Sequence, residues 1–84
     1  MKTIVKTKNS IYELNDSGLY RTMVNRENAK VTDEGLLATR ENVRIFDGSV
    51  GGRFQIVYID TNGEERWLST SRVLEIIDGD SNEM

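Results

Sequence analysis

The clearest pattern of hydrophobic and polar positions lies in the last third of the chain. Residues 54–59 are a dense run of β-branched and aromatic side chains, which suits a pleated, half-buried strand. Asn62-Gly63 follows, and this pair can supply the two positive-φ residues of a type I′ turn. Trp67 and Leu68 then lie on a returning strand. The segment therefore predicts a β-hairpin with a two-residue loop.

Counting outward from this loop predicts which residues share a face. Tyr58 is expected opposite Trp67, and one of two interpretations follows. Either the two rings form an exposed surface that stacks a ligand, base or peptide, or they pack under residues 26–46 or in a subunit interface. The second is the commoner role of aromatic residues. The predicted faces are Phe54, Ile56, Tyr58 and Trp67 on one side, and Val57, Ile59 and Leu68 on the other.

A second hairpin is predicted near the start of the chain. Residues 2–7 form a short apolar-centred run, and residues 10–14 alternate between polar and apolar positions. Residues 15–18 (NDSG) are turn formers, and residues 19–25 again suit a strand. Residues 2–25 are therefore predicted to form three strands.

The middle of the chain is harder to interpret. Residues 26–39 are mostly polar, and their helix-leaning patch at Leu36-Leu37-Ala38 is too short to form a stable helix alone. Residues 41–46 alternate and favour a strand. Residues 47–52 contain three glycines and favour a loop.

The end of the chain completes the predicted architecture. Ser69-Thr70-Ser71 is expected to break the strand with a turn of 3₁₀ helix, and residues 73–77 then resume as a strand. The acidic residues 78–84 are expected to be a disordered tail. The prediction is an all-β domain over residues 1–77, a small SH3-like, strongly bent antiparallel barrel of five to six short strands.

Two resemblances accompany this pattern. The long hairpin, one-turn link and closing strand over residues 53–77 resemble the end of SH3-like and Tudor-like barrels. Residues 7–15 (TKNSIYELN), with Arg21 shortly after, and residues 70–76 (TSRVLEI) resemble the two ends of a group of small uncharacterised bacteriophage proteins. Val43 stands where those proteins tend to have a tryptophan. The resemblance implies a phage origin and the host cytoplasm, and it implies no activity.

Composition narrows the function further. The chain of 84 residues contains no cysteine and no histidine, which removes disulfides, thiolate ligands and the commonest general base. Without these groups or paired carboxylates at a diagnostic spacing, we expect a non-enzymatic protein without a cofactor or bound metal. No apolar run reaches the length of a membrane span, so a cytoplasmic protein without membrane contact is expected.

The net charge of −3 is unevenly distributed. Residues 1–53 carry nine Lys/Arg against seven Asp/Glu, whereas residues 54–84 carry two against seven. Because proteins that bind phosphate backbones usually present a basic surface, nucleic acid is a disfavoured partner.

Two polar groups are candidate anion sites. The hydroxyls of residues 69–71 together with Arg72 suit a small anionic ligand, although a turn cap is the simpler role. Four arginines in residues 1–53 suit a phosphate pocket if they converge, although scattered surface arginines are the more common arrangement. These four are Arg21, Arg26, Arg40 and Arg44.

Three functional hypotheses remain. The first is a phage-type binding module that blocks or redirects a host protein, in host takeover or anti-defence. The second is a nucleotide or nucleic-acid binder that uses arginines and exposed aromatics, and the third is a minor virion structural or assembly protein. A protein partner is favoured, with a second copy of the chain as one form of it. The candidate binding residues are Tyr58, Trp67, Arg21, Arg44, Thr70, Ser71 and Arg72.

Overall fold

A computed structural model describes residues 2–24 and 31–78 of the chain. These residues form seven strands and one short 3₁₀ helix. The elements are β1 (Thr3–Thr7), β2 (Ser10–Leu14), β3 (Gly18–Val24), β4 (Val31–Thr39), the 3₁₀ helix Arg40–Asn42, β5 (Val43–Gly48), β6 (Arg53–Ile59) and β7 (Glu65–Asp78).

The strands form one antiparallel sheet in the order β4-β3-β2-β1-β7-β6-β5, which curls into a half-barrel. The predicted all-β class is confirmed, but the sheet has seven strands rather than five or six. Among the described residues, β4 pairs only with β3 and β5 pairs only with β6, so the sheet retains two edges. The SH3-like identity stays a prediction. No helix in the described ranges is long and apolar enough to cross a membrane.

β7 lies inside the sheet and joins strands β4-β3-β2-β1 to strands β6-β5. Its first part pairs with β6 as far as Arg72, and its second part pairs with β1 from Val73 onward. Two bulges lie at this changeover. Thr70 and Ser71 together oppose Phe54, and Leu74 is an extra residue between its paired neighbours on β7. Because a bulge bends a strand and increases its twist, β7 can pair with β6 along its first part and with β1 along its second part.

The hydroxyl of Thr70 accepts a hydrogen bond at the first bulge. The backbone N–H of Phe54 donates to Thr70 Oγ1 at 3.0 Å, in place of a carbonyl of the partner strand. Thr70 is only 3% exposed, so this amide has its partner away from water. The prediction of a 3₁₀ turn at residues 69–71 is therefore wrong, and the 3₁₀ helix lies instead at Arg40–Asn42.

The core lies on one face of the sheet, called here the inner face. Every strand from β1 to β7 except β5 has residues buried there, and Phe46 of β5 packs against them as a partly buried neighbour. Its ring meets that of Phe54 edge-on, with centroids 4.6 Å apart. Burying each large apolar side chain contributes about 1.5–3 kcal/mol. The core cluster is Val5, Tyr12, Leu19, Ala38, Phe54, Ile56, Tyr58 and Val73.

The structure assigns a strand to part of the chain whose conformation the sequence left open. Leu36, Leu37 and Ala38 lie in strand β4, where Ala38 pairs with Leu19 and is 1% exposed. Pairing with β3 outweighs the helical preference of these three residues, because propensity is only a weak prior. The predicted strand over residues 41–46 begins later, at Val43, and continues to Gly48.

Some predictions lie wholly or partly outside the described residues. Residues 25–30 and 79–84 are not described, so the end of the predicted strand at residues 19–25 and the predicted disorder of residues 79–84 stay predictions. Asp78, which was assigned to that tail, is the last residue of β7 and pairs with Thr3.

The turn between β2 and β3 lies where the sequence predicts it. The side chain of Asn15 accepts hydrogen bonds from the amides of Ser17 at 2.8 Å and Gly18 at 3.1 Å. Gly18 is required here, because a Cβ atom at this position would lie 2.4 Å from the carbonyl oxygen of Ala38. The close approach of β4 to the start of β3 therefore depends on a residue without a side chain.

Candidate functional site

The loop between β6 and β7 sets which residues of the hairpin face each other. The amide of Asp60 donates to the carbonyl of Glu64 at 2.8 Å, and the amide of Gly63 donates to the carbonyl of Asp60 at 2.9 Å. Gly63 has a φ of 85°. This is the pattern of a three-residue loop, a turn followed by a glycine in the left-handed region. The hairpin is confirmed, but the predicted two-residue loop is wrong.

The extra loop residue moves the register by one position. Trp67 lies opposite Val57, and Leu68 lies opposite Ile56. Because a shift of one residue exchanges the two faces, Trp67 and Tyr58 point to opposite sides of the sheet. Tyr58 is 9% exposed and belongs to the core, whereas Trp67 is 72% exposed. The predicted aromatic pair does not form, and only Trp67 lies on the surface.

Trp67 is part of an apolar row on the face opposite the core, called here the outer face. Ile45 on β5, Val57 on β6 and Trp67 on β7 are paired neighbours across three strands. Val57 is only 3% exposed although it is not part of the core cluster, which indicates that its two neighbours cover it. Ile45 is 43% exposed. We call Ile45, Val57 and Trp67 the outer row.

A charged network holds the loop beside this row. Asp60 accepts hydrogen bonds from the amides of Asn62 and Glu64, both at 2.9 Å, and from Arg66 Nε at 2.7 Å. Arg66 also donates to Glu64 at 3.0 Å. The hydrogen bond from Arg66, followed by those from the backbone, lowers the pKa of Asp60 below its usual 3.8, and the same contact raises the pKa of Arg66. The network therefore favours the three-residue loop and its register.

The predicted anion site at the end of the hairpin is largely occupied by internal hydrogen bonds. Thr70 uses its hydroxyl to accept from Phe54 and to donate to the carbonyl of Ser71 at 2.7 Å. Arg72 is exposed and donates from Nε to the carbonyl of Gly51 at 3.2 Å. Thr70 is thus part of the strand architecture, and of this group Ser69, Ser71 and Arg72 remain accessible.

A neighbouring arginine was not predicted. Arg53, at the start of β6, lies directly opposite Arg72 on β7, and both residues are exposed. Among the described residues, the ion pairs found involve Arg66 and Lys6. Neither Arg53 nor Arg72 takes part in one of them. The sequence contains both residues, but their apposition depends on the bulge and on the loop length. We call Arg53 and Arg72 the arginine pair.

The predicted basic pocket of the first half does not assemble through sheet pairing. Arg21 lies on β3 opposite the core residue Tyr12 and is half-buried, whereas Arg44 is exposed on β5. Four strands separate β3 from β5 in the sheet order. Arg40 is exposed in the 3₁₀ helix, and Arg26 is outside the described residues.

These observations define the class of the molecule as an antiparallel, all-β half-barrel with an apolar row and an arginine pair on its outer face. Within residues 2–24 and 31–78, no group of three or more Asp, Glu, His or Cys side chains is arranged to hold a metal ion. Comparison with protein-family models, with curated proteins and with solved structures found no match to the chain.

Proposed function

We propose that the protein is a small non-enzymatic binding module that recognises another protein through the outer row. The observation that carries this proposal is the position of Trp67, which is 72% exposed and lies opposite the buried Val57, with Ile45 on the other side of Val57. A single exposed apolar residue is ordinary, but an exposed tryptophan in an apolar row is typical of an interaction surface. Tryptophan is among the residues that contribute most to protein-protein affinity when buried by a partner.

The edge strand next to the row supports a protein partner. Ile45 lies on β5, whose described pairing is with β6 alone. An unpaired strand edge can accept an extended segment of another chain, whose main chain completes the ladder while its side chains contact the sheet face. The outer row and the β5 edge together form a surface that an extended segment can cover.

The phage resemblance supports a host protein as the partner and the host cytoplasm as the location. Residues 7–15 and 70–76 carry that resemblance. The absence of cysteine and histidine from the chain supports a role in binding rather than in catalysis. In this proposal the module blocks or redirects the protein that it binds.

The test compares two exposed apolar residues of β7. Tagged wild-type protein, Trp67→Ala and Leu74→Ala are used to capture partners from a bacterial lysate, with stoichiometry measured on the captured complex. Leu74 is 58% exposed but lies at a bulge outside the outer row, so Leu74→Ala is the matched control. We expect a partner at unit stoichiometry that Leu74→Ala retains and Trp67→Ala loses at least tenfold.

Equal capture by all three proteins would contradict the proposal. Light scattering on the purified proteins separates a further outcome. If the wild type is a dimer and Trp67→Ala is a monomer, the partner of the outer row is a second copy of the chain rather than a host protein.

A further inference from the structure

The arginine pair and the outer row lie on the same face of the sheet. Arg53 and Val57 are four positions apart on β6, with Gln55 between them, and alternate residues of a strand share a face. Their partners on β7 are Arg72 and Trp67. An accessible positive site and an accessible apolar site are therefore about 13 Å apart along one strand direction.

The arginine pair is unfavourable in the free protein. Like charges directly opposite each other on neighbouring strands destabilise a sheet. No ion pair to Arg53 or Arg72 is found in the described part of the chain. Arg72 uses Nε on the carbonyl of Gly51, which orients its guanidinium while its terminal nitrogens keep their donors. A bound anion would offset the repulsion.

The distribution of charge on the outer face favours a peptide over a nucleic acid. Asp47 lies opposite Gln55, and Glu65 lies opposite Ile59, so both carboxylates belong to the outer face and flank the outer row. A polyanion that follows the face would meet these acids, and the chain as a whole has a net charge of −3. A peptide with carboxylates at one end only would place them at the arginine pair, beyond Asp47 and away from Glu65.

We propose that the arginine pair binds the carboxylates of an acidic peptide segment of the partner, while an apolar side chain of that segment rests on the outer row. The apolar contact rests on the proposed function, and the carboxylate contact is a separate claim. Two guanidinium groups offer several donors to carboxylate oxygens; such charge-assisted hydrogen bonds are stronger than neutral ones, and the planar guanidinium can form them in a bidentate geometry that a lysine cannot. The distance between the two sites corresponds to about four residues of extended chain.

The first test uses defined peptides and NMR titration of isotope-labelled protein. The probe is an acetylated six-residue peptide with leucine at its first position and aspartate at its last two, separated by glycine and serine. Its counterpart has asparagine in place of both aspartates. We expect the aspartate peptide to bind about three- to tenfold more tightly to wild-type protein, with signals shifting in β6 and β7.

Variants separate the two claims. Arg53→Gln/Arg72→Gln should bind both peptides equally, whereas Trp67→Ala should weaken both and keep the preference for aspartate. Arg40→Gln, which removes an exposed arginine elsewhere, should behave as wild type. If Trp67→Ala weakens binding but the aspartates make no difference, the carboxylate contact is overturned and the proposed function stands. If only the arginine variants matter, the carboxylate contact stands and the outer row loses its role.

Two further results would overturn the inference. One is no binding of either peptide at millimolar concentration. The other is tighter binding of an eight-nucleotide oligothymidine than of the aspartate peptide, with a dissociation constant that rises steeply with salt, which would assign the face to single-stranded nucleic acid.

Stability gives a readout that needs no ligand. The side chain of Arg53 has no hydrogen bond or ion pair among those found in the described chain, so Arg53→Gln removes the repulsion without removing such a bond. At low salt we expect the melting temperature to rise by about 1–4 °C for Arg53→Gln and to stay unchanged for Arg40→Gln. A melting temperature for Arg53→Gln equal to or below that of wild type would show that repulsion between Arg53 and Arg72 does not destabilise the fold.

Discussion

Tyr58 and Trp67 lie on neighbouring strands of one hairpin, yet their surroundings are opposite. Tyr58 is 9% exposed and packs in the core on the inner face, whereas Trp67 is 72% exposed on the outer face. Both are large aromatic residues, so side-chain chemistry does not explain the difference. It arises from register, because one additional loop residue exchanges the faces of a whole strand.

The inner and outer faces also differ in what surrounds their apolar residues. Ile56 on the inner face is fully buried among side chains from several strands. Val57, the next residue, is nearly as buried, but it lies on the outer face between its paired neighbours Ile45 and Trp67. A side chain can therefore be buried either by the fold or by two exposed neighbours, and only the second arrangement leaves those neighbours accessible to a partner.

The largest expected effect comes from a substitution in the core, compared with one in the outer row. Ile56→Ala should lower the free energy of unfolding by about 2–5 kcal/mol, because it removes buried methyl groups and leaves a cavity. Trp67→Ala should change it by less than about 1 kcal/mol, since most of the ring is already in contact with water. Denaturant unfolding of both variants measures the difference. A large loss of stability for Trp67→Ala would place Trp67 in a packed environment and break the comparison.

A smaller loss of stability is expected from a substitution where β3 and β4 approach closely. Gly18→Ala should cost about 1–3 kcal/mol, because the new Cβ atom meets the carbonyl of Ala38 and the strands must separate. Gly35→Ala is the matched control on β4, where no heavy atom lies within 4 Å of an added Cβ. Its free energy of unfolding should stay within about 0.5 kcal/mol of wild type. Equal losses for the two variants would contradict tight packing at Gly18.

The smallest effect concerns the loop that separates Tyr58 from Trp67. Because the pKa of Asp60 in the folded protein lies below its usual 3.8, the ionised carboxylate stabilises the fold above about pH 4. This contribution is lost as the pH falls through the lowered pKa of the folded state. Asp60→Asn should therefore have a lower melting temperature than wild type at pH 7, by less than Gly18→Ala, and the gap should narrow below pH 4.

Thermal unfolding from pH 7 to pH 2 checks this prediction. Asp47→Asn removes another exposed carboxylate outside the loop and serves as the control for the loss of one negative charge. A gap between Asp60→Asn and wild type that is the same at pH 7 and pH 2 would mean that the charge of Asp60 does not support the loop.

Local signals in the sequence located much of the sheet. The alternation in residues 10–14, the turn formers at residues 15–18 and the β-rich run at residues 54–59 correspond to β2, the following turn and β6. In each of these segments the local preference and the tertiary contacts favour the same conformation, which is the condition under which sequence patterns are reliable. The exception at Leu36-Leu37-Ala38 arises because pairing with β3 outweighs a weak helical preference.

The candidate site was predicted less completely than the sheet. Trp67 and Arg72 stand out in the sequence, and the structure leaves both accessible. Tyr58 and Thr70 stand out for the same reasons but are buried, and Arg53 was missed. The hydroxyl of Thr70 accepts a hydrogen bond from the Phe54 amide at a bulge. No pattern in the sequence predicts which positions of a strand form a bulge.

The sequence by itself determined the all-β class, the hairpin between β6 and β7, and a chemistry without thiol or imidazole groups. Only the tertiary structure decided that the sheet is open, that Trp67 is separated from Tyr58, and that two arginines oppose each other. The physical reason is that strand propensity depends on a few adjacent residues. Which side chains share a face of the sheet, and which residues lie opposite each other on neighbouring strands, depends on loop lengths and bulges. One additional or missing residue at a loop or bulge moves every following side chain of the strand to the other face.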